Sequence, residues 1–406
     1  MNKNNILTGT VLFVVALLAV ISGCKYNVAE PTWSESYTPP GSPVISGIAP
    51  VTGGEIRAGA NLITISGTGF SDSLNSVYFN TMAAEVVSSS ATSIVVRRPN
   101  LITDSCVIMV VSRGAYLTAK TSRYRIDEVL SRFALTTDAT TTLGAITTDN
   151  AGNVYLVESN TYHSVYRISP AGDTTRIGVA GTSPITDIKV TPDGKSVIML
   201  AGLPRVIGLR TDGSDSLGVA GSKKPAKAVK CGDYDQNGYF YMGGKGSDLI
   251  VMTPDSTYKA TGLYQSAHTI TGVRVLGTNL YVVDTTSTTR GIYKHSIDNS
   301  GNVGTGQMVL DLTQEPLTSG TTVMNLAFSG DGASMYICTN GPNGLLVMDM
   351  ASKKVDIMYK GIAPSYGIQI TSGPGSNYIY MIDGNSVTAK YYLHRIDVGA
   401  PGAPSY

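Results

Sequence analysis

One stretch of this sequence has the spacing of a cation loop. Asp233-Tyr234-Asp235-Gln236-Asn237-Gly238 sets side-chain oxygens at alternate positions and a glycine where a sharp turn is needed, as calcium loops do. The position that should close such a loop with a bidentate Glu is Gly244. Aspartate and glycine in this order also shape a plain hairpin. The hairpin is the reading adopted, with a metal site on Asp233, Asp235 and Asn237 as the alternative; no cofactor is expected. The four histidines, His163, His268, His295 and His394, show no His-x-His or H-E-x-x-H spacing. Distant parts of the chain could still bring such residues together. Gly243-Gly244-Lys245-Gly246-Ser247 lacks the strand-to-helix context of a phosphate loop, and no nucleophile elbow or nucleotide fingerprint occurs. No catalytic residue is assigned.

Residues suited to binding are better represented. Asn160, Tyr162, His163, Arg205, Lys223, Lys224, His268, Arg290, Asn340, Asn343, Tyr366, Asn385 and Tyr391 fall in or beside connections between apolar strands. Polar donors mixed with aromatic faces suit a glycan, a peptide or a protein surface. Composition excludes another partner. Net charge is +1 and charged residues make up 15% of the chain, so the basic footprint of a nucleic-acid binder is missing. Cys106, Cys231 and Cys338 are far apart, odd in number and set in or beside apolar runs, which predicts buried free thiols rather than disulfides or zinc ligands.

The elements that must position these residues are strands. Gly 45 and Tyr 23, with abundant Thr, Ser and Val, favour short strands and tight turns. From residue 130 onward one unit recurs: an apolar strand, a turn of the Asp-x-x-Gly kind, and a second apolar strand. Its copies are Ile146–Val157, Ile188–Met199, the stretch around Asp235–Met242, Val273–Val283, Leu326–Ile337 and Ile368–Met381. Gly152, Gly194 and Gly238 mark a period of roughly 40–45 residues, the length of a four-stranded propeller blade. A longer connection around Asn299 to Gly320 separates the fourth and fifth copies. Third strands follow, such as Val165–Ile168 and Leu345–Met348, then weaker fourth strands. The sixth copy ends in the Pro- and Gly-rich Val398–Tyr406 and has no outer strand of its own. Arg132-Phe133-Ala134-Leu135 precedes the first copy and is expected to pair onto the last, closing the ring and hiding a sheet edge. The copies resemble NHL or YncE-like propellers, which implies a six-bladed β-propeller over 130–406 with ligands near its central cavity.

Residues 44–126 read as closely spaced short strands, the pattern of a small antiparallel sandwich. Pro43-Val44-Ile45-Ser46-Gly47-Ile48-Ala49-Pro50, Ile63-Thr64-Ile65-Ser66-Gly67-Thr68-Gly69-Phe70 and Ile94-Val95-Val96 followed by Pro99 resemble the IPT/TIG domain family. That resemblance implies an immunoglobulin-like fold serving as a spacer or interaction module.

At the start of the chain Lys3 precedes an apolar run from Ile6 to Ile21, shorter than the roughly 20 residues of a spanning helix. Ile21-Ser22-Gly23-Cys24 resembles the lipobox of bacterial lipoproteins. The resemblance implies cleavage after residue 23, lipid on Cys24, and a place in the cell envelope, at the outer membrane or cell surface. Residues 24–43 hold Pro31, Pro39, Pro40 and Pro43, the composition of a semi-extended linker. The expectation is an all-β chain: signal peptide, linker, immunoglobulin-like β-sandwich and six-bladed β-propeller. Its expected role is lipid-anchored binding or scaffolding without catalysis; a metal-dependent propeller hydrolase or lyase is the alternative.

Overall fold

The computed structural model describes residues 41–133, 142–159, 162–214, 218–219, 225, 227–246, 248–385 and 390–406. Cys24, the signal segment and nearly all of the linker lie outside them, as do Asn160, Lys223 and Lys224.

The first strands form a sandwich. One sheet joins Val44–Ala49, Leu62–Thr68, Ser93–Arg97 and Val86–Ser89; the other joins Glu55–Ile56, Ala119–Ile126, Thr103–Ser112, Asn75–Phe79 and Met82–Ala84. Alternation decides which side chains turn inward. Ile63, Ile65, Val77, Phe79, Ile94, Val96, Ile108 and Val110 are all buried between the sheets. Gly67 continues the inward series where no side chain fits: a Cβ there would lie 2.0 Å from the Val44 carbonyl oxygen and 2.4 Å from the Phe70 ring.

Six four-stranded sheets follow as propeller blades. Their innermost strands are Leu143–Thr148, Asp187–Val190, Cys231–Tyr234, Thr269–Leu276, Val323–Phe328 and Gly367–Ser372. In the first five blades the four strands lie side by side in chain order, and in every blade the first two strands pair antiparallel. The turns between first and second strands place Gly152, Gly194, Gly238 and Gly332 at φ between 69° and 83°, where a side chain would be strained. The expected long connection before the fifth blade contains that blade's neighbour's outer strand, Gln307–Asp311, and a short 3-10 helix, Pro316–Thr318.

The ring closes as expected, two residues early. The strand Leu130–Arg132 pairs antiparallel with Lys390–Asp397, Leu130 opposite Ile396 and Arg132 opposite His394. The Phe133 amide then donates to the Leu393 carbonyl at 2.9 Å. Ala134 and Leu135 lie outside the described residues. Phe133 is buried among Leu143, Ile146, Tyr380 and Leu393, so the first and last blades share one core. The thiols of Cys106, Cys231 and Cys338 are free and buried, and burial pushes that of Cys106 up to about 11.

Candidate functional site

The innermost strand of each blade presents an unpaired edge to the central channel, and buried backbone groups there need partners. Side chains from neighbouring strands supply them. Asp187 accepts from the Gly232 amide at 3.0 Å. Asp233 accepts from the Val275 amide at 2.9 Å. Arg274 donates to the carbonyls of Leu326 at 2.6 Å and Ile370 at 2.9 Å. Gln369 accepts from the Ile146 amide at 2.6 Å and reaches across to donate to Asp187 at 2.9 Å. Lys189 donates to the same Asp187 oxygen at 2.7 Å. Two acids and two bases thus meet inside the ring and balance in charge. Burial pulls Lys189 below its ordinary value and pushes Asp233 above its own. The residues that fill the channel, Asp187, Lys189, Arg274 and Gln369, were not singled out from the sequence. A signal was present: Lys189, Arg274 and Gln369 each interrupt an apolar strand, as in Ile188-Lys189-Val190 or Val273-Arg274-Val275, and Asp187 opens one.

The tail closes one end of the channel. Gly330 donates to the Pro401 carbonyl, Ala403 to the Phe328 carbonyl and Ser405 to the Asn150 side chain. Beneath Ala403–Ser405, beside Asp233 and Arg274, about 20 Å³ remains, roughly one water molecule's room. Where a ligand cavity was expected at the centre of the ring, the described residues place an ionic network, with the tail over its turn-face end.

The Asp-Asn-Gly stretch behaves as a hairpin. Asp235 Oδ1 accepts from the amides of Asn237 and Tyr239, and its Oδ2 accepts from the Tyr241 hydroxyl. Asp233 belongs to the channel network instead. These carboxylates are spent on protein partners and do not converge, and among the described residues no group of three or more metal-ligating side chains occurs.

The binding candidates lie on the face opposite these turns, the loop face, and several of them are bonded to neighbouring loops. Arg205 donates to Ser183 at 2.7 Å. Arg290 donates to the carbonyls of Thr318 and Thr321. The Asn340 side chain accepts from the Thr322 amide, and the Asn343 carbonyl accepts from the Thr339 hydroxyl. Tyr162 and Tyr366 are exposed, Tyr366 with φ 58°. Tyr391 packs against the closure core. Asn385 ends the strand Tyr378–Asn385, opposite Lys390. His163 is buried with φ 51° and no hydrogen-bond partner for Nδ1.

His268 has the most developed setting. Its Nδ1 lies 2.7 Å from Asp284 Oδ2, and Asp284 is buried with Oδ1 unpartnered. Tyr264 packs edge-on to the His268 ring at 5.4 Å. The Tyr264 hydroxyl donates at 2.7 Å to Nε2 of His295, whose Nδ1 donates to the Gly304 carbonyl at 2.8 Å. Burial holds His295 below the ordinary histidine value. A carboxylate-oriented imidazole can hold or pass a proton. His394 Nε2 lies 3.2 Å from Asp383 Oδ1, but neither nitrogen of its ring makes a hydrogen bond.

Two concavities lie on the turn face. A cavity of about 540 Å³ runs between blades two and three, lined by Ser196, Ile198, Arg210, Met252, Pro254 and Ser256 among others. A second, of about 340 Å³, lies between Asp149–Ala151 and the terminal Ser405 and Tyr406. The turn Thr191-Pro192-Asp193 borders both.

A model of the IPT/TIG domain family matches residues 43–125. No curated protein matches the chain. Among solved structures, an auxiliary nutrient binding protein from Bacteroides thetaiotaomicron is 12% identical, over 89% of this chain and 98% of its own, with a TM-score of 0.51. A candidate phosphatase from the same organism is 12% identical over 87% and 96%, with a TM-score of 0.50. An auxiliary nutrient binding protein from Bacteroides ovatus is 12% identical over 89% and 99%, with a TM-score of 0.49. Identity this low speaks for the fold alone, an immunoglobulin-like sandwich followed by a propeller.

Proposed function

We propose that this chain is a non-catalytic binding protein of the bacterial cell envelope, held by lipid on Cys24. Residues 1–23 act as its signal, 24–43 as a linker, 44–126 as the sandwich and 130–406 as the binding ring. The single observation that carries the reading is the cavity between blades two and three. Its volume falls within the roughly 300–1,000 Å³ of ligand sites. Its lining mixes hydroxyls and an apolar floor with one carboxylate, Asp193, and one guanidinium, Arg210. Such a surface suits an uncharged glycan or a peptide better than a strongly charged ligand. The reading agrees in kind with the name of the Bacteroides thetaiotaomicron auxiliary nutrient binding protein.

A glycan and peptide array on the chain from Ser42 onward identifies the ligand. Arg210→Ala, or Ser196→Trp to fill the cavity, is then expected to weaken titrated affinity about tenfold, a loss of roughly 1.4 kcal/mol. Unchanged affinity in both variants would falsify the site.

A second reading places the ligand on the loop face, at Arg205, His268, Arg290, Asn340, Asn343, Tyr366 and Tyr391. The His268–Asp284 pair favours it, and His268→Ala is the variant that would lose binding. The enzymatic alternative requires stoichiometric metal in the purified chain and turnover that a chelator abolishes.

A further inference from the structure

The two ends of the sandwich differ. One end, with Asn61, Arg97 and Asn100, is bonded to the propeller. At the other end the described chain begins: a Cβ on Gly69 would lie within 2.9 Å of the Gly41 and Ser42 carbonyl oxygens, and Val44 pairs with Thr68. The loop 69–74 and the hairpin turn 113–118 lie at this same end. The Arg113 amide donates to the Leu74 carbonyl at 2.9 Å, and Asn75 sits opposite Ser112. These segments display large hydrophobic side chains. Val44 is 55% exposed, Leu74 49%, Tyr116 66% and Leu117 65%. A single exposed leucine needs no explanation, whereas several on adjoining loops indicate a surface that something covers.

We infer that this tip rests in the interfacial layer of the membrane that holds the chain. The inference relies on the proposed anchoring at Cys24. Residues between Cys24 and Gly41 can span at most about 60 Å, so the end they join stays near the lipid. Aliphatic side chains with a tyrosine suit the boundary between headgroups and acyl chains. Arg113 and Asp72 on the same loops offset one another in charge, so the contact is apolar and insensitive to salt. With the far end of the sandwich bonded to the propeller, a seated tip would set the tilt of the whole ring above the membrane.

The test uses an anchor independent of acylation. The chain from residue 24, with Cys24→Ser and an added N-terminal histidine tag, is held on phosphatidylcholine vesicles containing a nickel-chelating lipid. A fluorophore on Ala115→Cys is expected to be quenched by brominated lipid, equally at low and high salt. A fluorophore on Lys195→Cys is not. Leu74→Ser, Tyr116→Ser and Leu117→Ser together should abolish quenching at 115 and leave the melting temperature unchanged. Equal quenching at 115 and 195, none at 115, or quenching that survives the triple substitution overturns the inference. So does a dimer in solution that the triple substitution dissolves, because a second copy would then be the occupant. Mass spectrometry of Cys24 in the full chain from membranes decides the anchoring itself; its failure leaves the vesicle result standing as a separate fact.

Discussion

Single residues in this ring are placed by what their polar atoms must reach. Lys189 and Arg274 would each be costly to bury alone, but each lies against acids and carbonyls that were themselves in need of donors. The same logic retires the calcium reading of Asp233, Asp235 and Asn237: a carboxylate that accepts two turn amides and a tyrosine hydroxyl has little left for a cation. His295 gives a measurable consequence. Enclosed by Tyr264 and the Gly304 carbonyl, it is neutral in the fold, with its value lowered by burial. The unfolded chain therefore binds the proton more readily. The stability this site contributes is complete above the ordinary value of about 6.5 and declines as pH falls from there toward the folded value. Thermal melting between pH 7.5 and 5 should show this loss, and His295→Gln should flatten the slope. An identical slope in both proteins would show that His295 does not titrate in that window.

Strands carry the repeat, and the repeat explains their chemistry. The second strand of five blades places a buried tyrosine, Tyr155, Tyr241, Tyr281, Tyr336 or Tyr380, opposite the channel-facing register of the first strand; the second blade has Ile198 there. Two of these hydroxyls, on Tyr155 and Tyr241, return to the turn aspartates Asp149 and Asp235 and fix the hairpins. Blade number and the closing strand were legible from this periodicity. What the periodicity could not carry was the partner of each inner edge, since Gln369 reaches a residue four blades earlier in the chain. The closing strand has its own test. Phe133 packs 5.1 Å from the Tyr380 ring under the guanidinium of Arg395. Phe133→Ala should cost about 3–5 kcal/mol in denaturant unfolding. A loss below about 1 kcal/mol would mean that the ring does not depend on this strand for closure.

At the scale of the whole molecule, the sandwich is bonded to the ring rather than strung before it. The Tyr359 hydroxyl donates to the Asp397 carbonyl and accepts from the Gly59 amide, both at 2.6 Å. Asn61 accepts from the Tyr359 amide at 2.8 Å and donates to the Ile357 carbonyl at 3.0 Å. Arg97 meets Asp356 at 2.8 Å, and Lys360 meets Glu85 at 2.8 Å. Gly59 approaches Gly399 so closely that a Cβ would lie 3.0 Å from its Cα. The module expected to be a spacer or an interaction module is thus bonded to the edge of the fifth blade. Calorimetry should record one cooperative transition for both domains. Asn61→Ala with Tyr359→Phe removes partly buried hydrogen bonds of about 1–3 kcal/mol each and should split the transition in two. Two transitions in the unsubstituted chain would mean that the contacts do not couple the domains.

Local order in this chain belongs to its sequence: alternating apolar residues make the strands, Asp and Gly make the turns, and the repeat of both makes six blades after a sandwich. Those features need only neighbours a few residues away, so composition and spacing suffice. Whether the ring encloses a cavity did not depend on neighbours. Lys189, Arg274, Gln369 and the tail Ala403–Ser405 come from distant parts of the chain, and only when the blades close are they brought to one axis, where unpaired strand edges and opposite charges hold them.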